Sequence, residues 1–246
     1  MLFLSPIPGV AALRAEISLS LVPVLAPLLA RLRALFDLDA DTTCIERHLS
    51  SSPRIGQIVQ RTPGLRVPGA FDGFEVALRA ILGQQVSVKG ATTLSSRFAE
   101  RFGEPIVTPF EALTRLPPSA ESLAGATIEA IMALGVTTAR AQSICALACA
   151  VASGSLRIEP GPAPEETIAC LEKLPGIGPW TSHYIGMRAL RWPDAFPHSD
   201  LGLKKALNEP DPAKVLAAAE EWRPWRAYAA LHLWQSLHNA PEGNHA

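Results

Sequence analysis

Absences narrow the reading first. Basic and acidic residues nearly balance, 22 against 23 in 246 residues, for a formal charge of −1. No strong global field can draw nucleic acid or a membrane surface onto such a chain, so any polyanion contact has to be local, through a few cations and backbone amides. The four cysteines, Cys44, Cys145, Cys149 and Cys170, form no CxxC pair with zinc spacing and no cluster signature. Cys145 and Cys149 fall one helical turn apart in an alanine-rich run and are expected on one buried helix face, as reduced structural thiols. No uninterrupted apolar run reaches the ~20 residues of a membrane span. The start, MLFLSPIPGV, lacks a basic leader and is broken by Pro6 and Pro8, a poor signal peptide. A cytosolic protein is expected.

What is present is apolar surface. Hydrophobic residues make up 48% of the chain and charged residues 18%, enough to bury a sizeable core in one large domain or two modest ones. Residues 11–22 alternate like a single strand, with Leu13, Ala15, Ile17, Leu19 and Leu21 on one side. Almost everything after it has helical spacing: 25–36, short helices in 45–63, two packed helices in 71–103 broken near Gln84–Val88, then helices around 119–134, 138–153 and 165–173. A helix from Leu201 and two C-terminal helices follow, with a short tail over 239–246. The expected fold is mainly α, a compact arrangement of short helices rather than an up-down bundle.

The stretch LPGIGPWTSHYIGMRAL, Leu174 to Leu190, carries the most information. Gly176 and Gly178 can take φ > 0 or let another backbone come close, and Pro179 suits a first helical position. The stretch therefore reads as helix, tight hairpin, helix. The second helix presents unpaired N–H groups and the positive end of its dipole, a geometry that binds phosphate without a basic side chain. Taken alone, PGIG reads more simply as an αα-hairpin that only turns a corner.

The surroundings decide the reading. L-P-G-I-G-x-x-T at Leu174, Pro175, Gly176, Ile177, Gly178 and Thr181, followed about twenty residues later by Asp200 at a helix start, resembles the helix–hairpin–helix DNA glycosylase superfamily. FEVALRAILGQQVSV, FPHSDLGLKKAL and WRPWRAYAALHLW extend the resemblance to DNA-3-methyladenine glycosylase II and to the glycosylase half of fused alkylation-response proteins, over roughly residues 20 to 238. The resemblance implies a compact two-subdomain helical domain over 25–238, with the hairpin at about 165–190. Before it, 1–24 would be the remnant of an α+β domain, truncated to its last strand near 13–21. Such a strand would be an unprotected edge, prone to pairing or low solubility.

The resemblance also implies a chemistry: removal of a base flipped out of duplex DNA, through a transition state with cationic character at the sugar, as in glycoside hydrolysis. Asp200 matches the catalytic aspartate, which stabilises that cation and positions or deprotonates water. It also suits an N-cap, and the two roles are compatible. Ser199 stands where some relatives carry a second acid. Trp180, Tyr184 and Trp234 match the aromatic base pocket, suited to cationic alkylated purines through stacking and cation–π attraction. Leu174, Gly176, Ile177, Gly178 and Thr181 match the hairpin that meets the DNA backbone. Gln84 and Gln85 fall where the family reaches the minor groove, with Gln85 at the intercalating position. Trp192, Trp222 and Trp225 are expected in the core.

The lysine nucleophile of bifunctional relatives is absent, since Trp180 occupies its position, and so is the C-terminal iron–sulfur loop. The expectation is a monofunctional glycosylase without cofactors, acting on double-stranded DNA with alkylated bases as a monomer. The histidines His183, His198 and His232 match no ligand motif. A monovalent cation at the hairpin carbonyls is implied by the family alone. The rival reading is a non-catalytic DNA-binding module or a regulatory remnant, which needs the hairpin but not Asp200, Trp180, Tyr184 and Trp234 together.

Overall fold

Most helix starts are fixed by local chemistry. In the computed structural model, which describes residues 1–238, the carboxylate of Asp72 accepts from the Glu75 N–H (2.7 Å) to cap α4 (Gly73–Leu82), and Ser87 caps α5 (Val88–Phe102) through the Gly90 N–H. Thr137 caps α8 (Thr138–Ala152), Asp200 caps α11 (Leu201–Leu207) and Asp211 caps α12 (Pro212–Ala218). Each such cap is worth about 0.5–2 kcal/mol. Prolines open α9 (Pro164–Glu172) and α10 (Pro179–Arg188), where their missing N–H costs nothing. The remaining helices are α1 (Leu25–Leu35), α2 (Thr42–Ser50), α3 (Gly56–Arg61), α6 (Ala120–Ala124), α7 (Ile128–Met132) and α13 (Arg226–His238). The expected tail, 239–246, lies outside the described residues.

Four local expectations are corrected. The N-terminus holds two strands, β1 (Leu2–Pro6) and β2 (Leu13–Ile17), paired antiparallel from Leu2 opposite Ile17 to Pro6 opposite Leu13. The turn contains Gly9 at φ +74; Pro6 ends β1 and Pro8 lies in the turn. Residues 19–24 continue as a 3-10 turn rather than as strand. The helix expected over 119–134 is two, because Gly125 ends α6 and the Thr127 hydroxyl caps α7. On α8 the buried stripe runs through Ala141, Ile144 and Ala148. Cys145 is therefore only half-buried and Cys149 is exposed, about 100° round the helix from that stripe.

The apolar residues form two cores. One gathers α4–α10, from Phe74 to Leu190, around Phe98, Leu123, Ile144 and Ile185. The other joins Ile45, Leu49, Ile55 and Val59 of α2 and α3 to the far C-terminal part, Phe196, Leu203, Trp222 and Leu233. Helix α10 serves both: Ile185 faces the first core and Met187 the second. Trp222 is fully buried, and Trp192 and Trp225 pack on the cores, as expected for these three. The N- and C-terminal segments are tied together at Asp37, whose carboxylate accepts from the Tyr228 hydroxyl at 2.6 Å and from the Val67 N–H at 3.2 Å. That bond and burial push the Tyr228 pKa well above its ordinary value. The α9–α10 hairpin and the start of α11 face each other across the junction of the two cores.

Candidate active site

The two hairpin glycines have different causes. Gly176 sits at φ +74, and a Cβ there would lie 2.1 Å from the Ser143 hydroxyl, so conformation and packing both demand glycine. Gly178 is extended (φ −95, ψ −179), a backbone any residue adopts, and a Cβ there would meet nothing within 4 Å. The protein's own packing leaves that space open. It lies at the N-terminus of α10, where no side chain caps the helix.

The other residues matched to the hairpin are not on the surface. Ile177 plugs the first core, Thr181 is buried, and Leu174 is half-buried. The Thr181 hydroxyl accepts from the Gln84 amide (3.0 Å), which also donates to the Gly176 carbonyl (3.0 Å). Gln84 is thus turned inward and fastens the end of α4 to the hairpin, instead of reaching outward to fill a gap. Arg140 donates to the Gln84 carbonyl from the other side. Gln85, by contrast, is exposed at the apex of the α4–α5 turn with φ +53. A non-glycine residue held there carries backbone strain of about 1–2 kcal/mol.

Asp200 is held by three donors. Oδ1 accepts the Leu203 N–H at 3.0 Å and the Trp234 indole N–H at 2.8 Å, and Oδ2 accepts the Trp180 indole N–H at 2.7 Å. These come from α11, α13 and α10, so three helices fix one carboxylate. Hydrogen bonds to a charged acceptor are among the strong ones. Trp180, Asp200, Gln84, Gln85, Gly176 and Thr181 line one cleft of about 670 Å³, together with Arg140, Ser199 and Leu201. Leu201 is 80% exposed beside the carboxylate.

Two of the matched aromatics lie off this cleft wall. Trp234 reaches Asp200 from α13, while Tyr184 sits behind Trp180, stacked at 5.4 Å and 11°. The Arg188 guanidinium covers Tyr184 at 5.9 Å. The column Trp180–Tyr184–Arg188 separates the cleft from a second one of about 400 Å³ lined by Arg79, Thr92 and Ser95.

The loop that delivers Asp200 is anchored by a buried ion pair. Arg226 grips Asp194 with both arms, Nε to Oδ1 at 2.7 Å and NH2 to Oδ2 at 2.9 Å, and both residues are almost fully buried. Arg223 adds a second cation to Asp194, and the Ala227 N–H donates to the Pro193 carbonyl at 2.9 Å.

Sequence reasoning overlooked Arg140, Arg226 and the indole donors. One signal was available for the indoles: a Trp N–H near an apolar site usually finds an acceptor.

The histidines support packing. The His183 Nδ1 accepts the Phe196 N–H at 3.1 Å and the His232 Nδ1 pairs with the Thr62 hydroxyl at 2.9 Å. Burial pushes both down to about 4, with His198 reinforcing the shift at His183, so each imidazole is neutral near pH 7. Among the described residues no group of three or more His, Cys, Asp or Glu side chains is arranged to hold a metal. Of the hairpin carbonyls, Leu174 and Gly176 already accept the Ile177 N–H (3.3 Å) and the Gln84 amide (3.0 Å). Each keeps one lone pair, the neutral-oxygen donor a monovalent cation at this loop would use.

Comparison with known proteins agrees with this geometry. Residues 78–222, which include the second half of α4, the hairpin and Asp200, match the family described as HhH-GPD superfamily base excision DNA repair protein. The chain belongs to this family. Residues 1–72 match the AlkA N-terminal domain, so that likeness runs well past residue 24. DNA-3-methyladenine glycosylase 2 of Escherichia coli (strain K12) is 37% identical over 231 residues, covering 93% of this chain and 79% of that protein. A probable bifunctional transcriptional activator/DNA repair enzyme AlkA of Mycobacterium tuberculosis is 42% identical over 212 residues, 85% of this chain but only 42% of that protein. The chain thus spans less than half the length of this relative.

Among solved structures, the 3-methyladenine DNA-glycosylase from Archaeoglobus fulgidus superposes with a TM-score of 0.71 at 20% identity, covering 93% of this chain and 79% of that one. The Clostridium acetobutylicum 8-oxoguanine glycosylase/lyase, in complex with double-stranded DNA, gives 0.77 at 18% identity, covering 97% and 82%. At these identities the likeness is one of fold, shared by enzymes whose titles name different bases and different second steps. No helix of the described residues is long and apolar enough to cross a membrane.

Proposed function

We propose that the protein is a monofunctional DNA N-glycosylase that removes alkylated purines of the 3-methyladenine and 7-methylguanine type from duplex DNA in base excision repair. It acts as a monomer, in the cytoplasm, and leaves an abasic site. The observation that carries this reading is the Asp200 carboxylate, fixed by three donors on the wall of a cleft that also holds an indole face and opens beside an uncapped helix N-terminus.

The hairpin, with Gly178 leaving room for a close approach, takes the phosphate backbone through amides, which suits a chain with almost no net charge. Gln85 enters the gap left by the extruded nucleotide. The base stacks on Trp180, which Tyr184 and Arg188 back from behind. An N3- or N7-alkylated purine is already cationic and leaves without being protonated, so a single acid suffices. Asp200 stabilises the developing sugar cation and directs water to it. No lysine lines the cleft to form a covalent adduct with the sugar. A purely DNA-binding module has no use for a carboxylate clasped in this way.

The deciding experiment is base release from methylated duplex DNA. Free 3-methyladenine, with strands intact until alkali is added, is the expected result; no release from folded protein overturns the reading.

Two substitutions probe its parts. Gly178→Trp is expected to leave thermal stability within about 0.5 kcal/mol, because the position is exposed and a Cβ there meets nothing within 4 Å. It should weaken binding to damaged and undamaged duplexes alike by about 1.5–3 kcal/mol, the worth of a hydrogen bond to a charged group. Unchanged affinity would remove the hairpin from the interface. Trp180→Ala should cost the flipped base a stacking partner worth about 1–3 kcal/mol. Release of cationic 7-methylguanine should fall further than release of neutral hypoxanthine; equal losses would argue against cation–π selection.

A further inference from the structure

Asp200 caps α11, and the second residue of that helix is Gly202. Glycine is a poor local choice in a helix, where alanine confers more stability. Gly202 is not in the left-handed region, so backbone conformation does not require it. Space does. A Cβ at this position would lie 2.9 Å from Asp200 Oδ1, 3.0 Å from Trp234 Cδ1 and 3.3 Å from Trp234 Nε1. These atoms flank the 2.8 Å hydrogen bond between the Trp234 indole and Asp200. Both neighbours are side chains, so either can yield at small cost to the fold. What yields is the alignment of the carboxylate.

We infer that Gly202 is a positioning residue: by offering no side chain, it lets the Trp234 indole close on Asp200 and hold the carboxylate in the orientation the reaction uses. This rests on the reading of Asp200 as the catalytic acid. Gly202 itself touches neither substrate nor sugar; it acts through the contact between Trp234 and Asp200. A methyl group here separates indole from carboxylate, and Asp200 then keeps only its bonds to Trp180 and Leu203. Reactive groups displaced by such sub-ångström to ångström shifts lose rate steeply.

The test combines kinetics with a direct view of the contact. In Gly202→Ala, single-turnover release of 3-methyladenine should fall roughly 10- to 100-fold, while affinity for methylated duplex stays within about twofold and the better helix former offsets part of the stability lost with the indole bond. The same change introduced into a Trp234→Phe background, where the N–H is already gone, should cost clearly less than it does in the wild type, because residues acting through one another are not additive. A rate within twofold of wild type, or an undiminished loss in the Trp234→Phe background, overturns the inference.

The second arm needs no turnover. With ¹⁵N-labelled indoles, the resonance lost in Trp234→Phe identifies Trp234. In Gly202→Ala this N–H should shift and exchange with solvent faster. An unchanged shift and exchange rate also overturns the inference. Absence of base release by the wild type would instead reject the glycosylase reading, so the two failures are distinguishable.

Discussion

Asp200→Asn is expected to slow base release by roughly 100- to 10,000-fold, the range for losing a catalytic acid–base group together with its charge, with duplex affinity nearly unchanged. The geometry explains why the variant should fold. Asparagine is as good an N-cap as aspartate, and its carbonyl can still accept from Leu203 and Trp234, as Oδ1 does now. Its amide then faces the Trp180 N–H, a donor against a donor where Oδ2 now accepts at 2.7 Å. The variant therefore loses the negative charge and also loosens Trp180, the stacking face of the cleft. The hairpin proposed to take phosphate ends at Gly178, two residues before Trp180, but the Asp200 side chain bonds the Trp180 and Trp234 rings and the Leu203 N–H, not the hairpin backbone. Measured release near the wild-type rate would reject Asp200 as the acid. Loss of binding together with activity would show instead that the carboxylate holds the site together rather than acting in it.

How far this was legible in the sequence depended on whether the signal was local. The Pro179 helix start, the Asp200 cap and the hairpin at Gly176 are each written in a few adjacent residues, and each stands where the sequence placed it. Cores and partners are not local. Trp180 and Trp234 were read as ring surfaces because a sequence displays ring type and helical spacing. Their N–H groups meet on Asp200 only because α10, α11 and α13 converge. Gln84 and Gln85 are neighbours with the same side chain, yet one folds inward onto Gly176 and Thr181 while the other is exposed at positive φ. Nothing in a QQ pair announces that division, which comes from how α4 ends against the hairpin. The N-terminal hairpin was missed for another reason: strand pairing is read from alternation, and Pro6 at the end of β1 and Pro8 in the turn interrupt it.

The second large effect is expected away from the cleft. Arg226→Ala should destabilise the protein by about 3–5 kcal/mol, the cost of leaving half of a buried ion pair unpaired. For a chain of this size that corresponds to a melting temperature lowered by roughly 6–20 °C. Asp194 would keep Arg223, but that side chain is 49% exposed and cannot replace a buried bidentate partner. Arg223→Ala, which removes the exposed cation from the same carboxylate, should cost only about 0–1 kcal/mol. The contrast separates burial from charge, because both variants delete one arginine beside Asp194.

The consequence reaches the active site through the chain. Asp194 and Asp200 belong to one loop, held at its near end by Arg226 and by the Ala227 N–H on the Pro193 carbonyl, and at its far end by the cap of α11. Releasing the near end leaves the carboxylate fastened to three helices that no longer share an anchored connection. Below its melting temperature, Arg226→Ala should therefore release base more slowly than wild type while binding undamaged duplex normally. Equal melting temperatures for the two arginine variants would mean that the buried pair contributes no more than the exposed one. The loop would then be held by apolar packing around Phe196 instead.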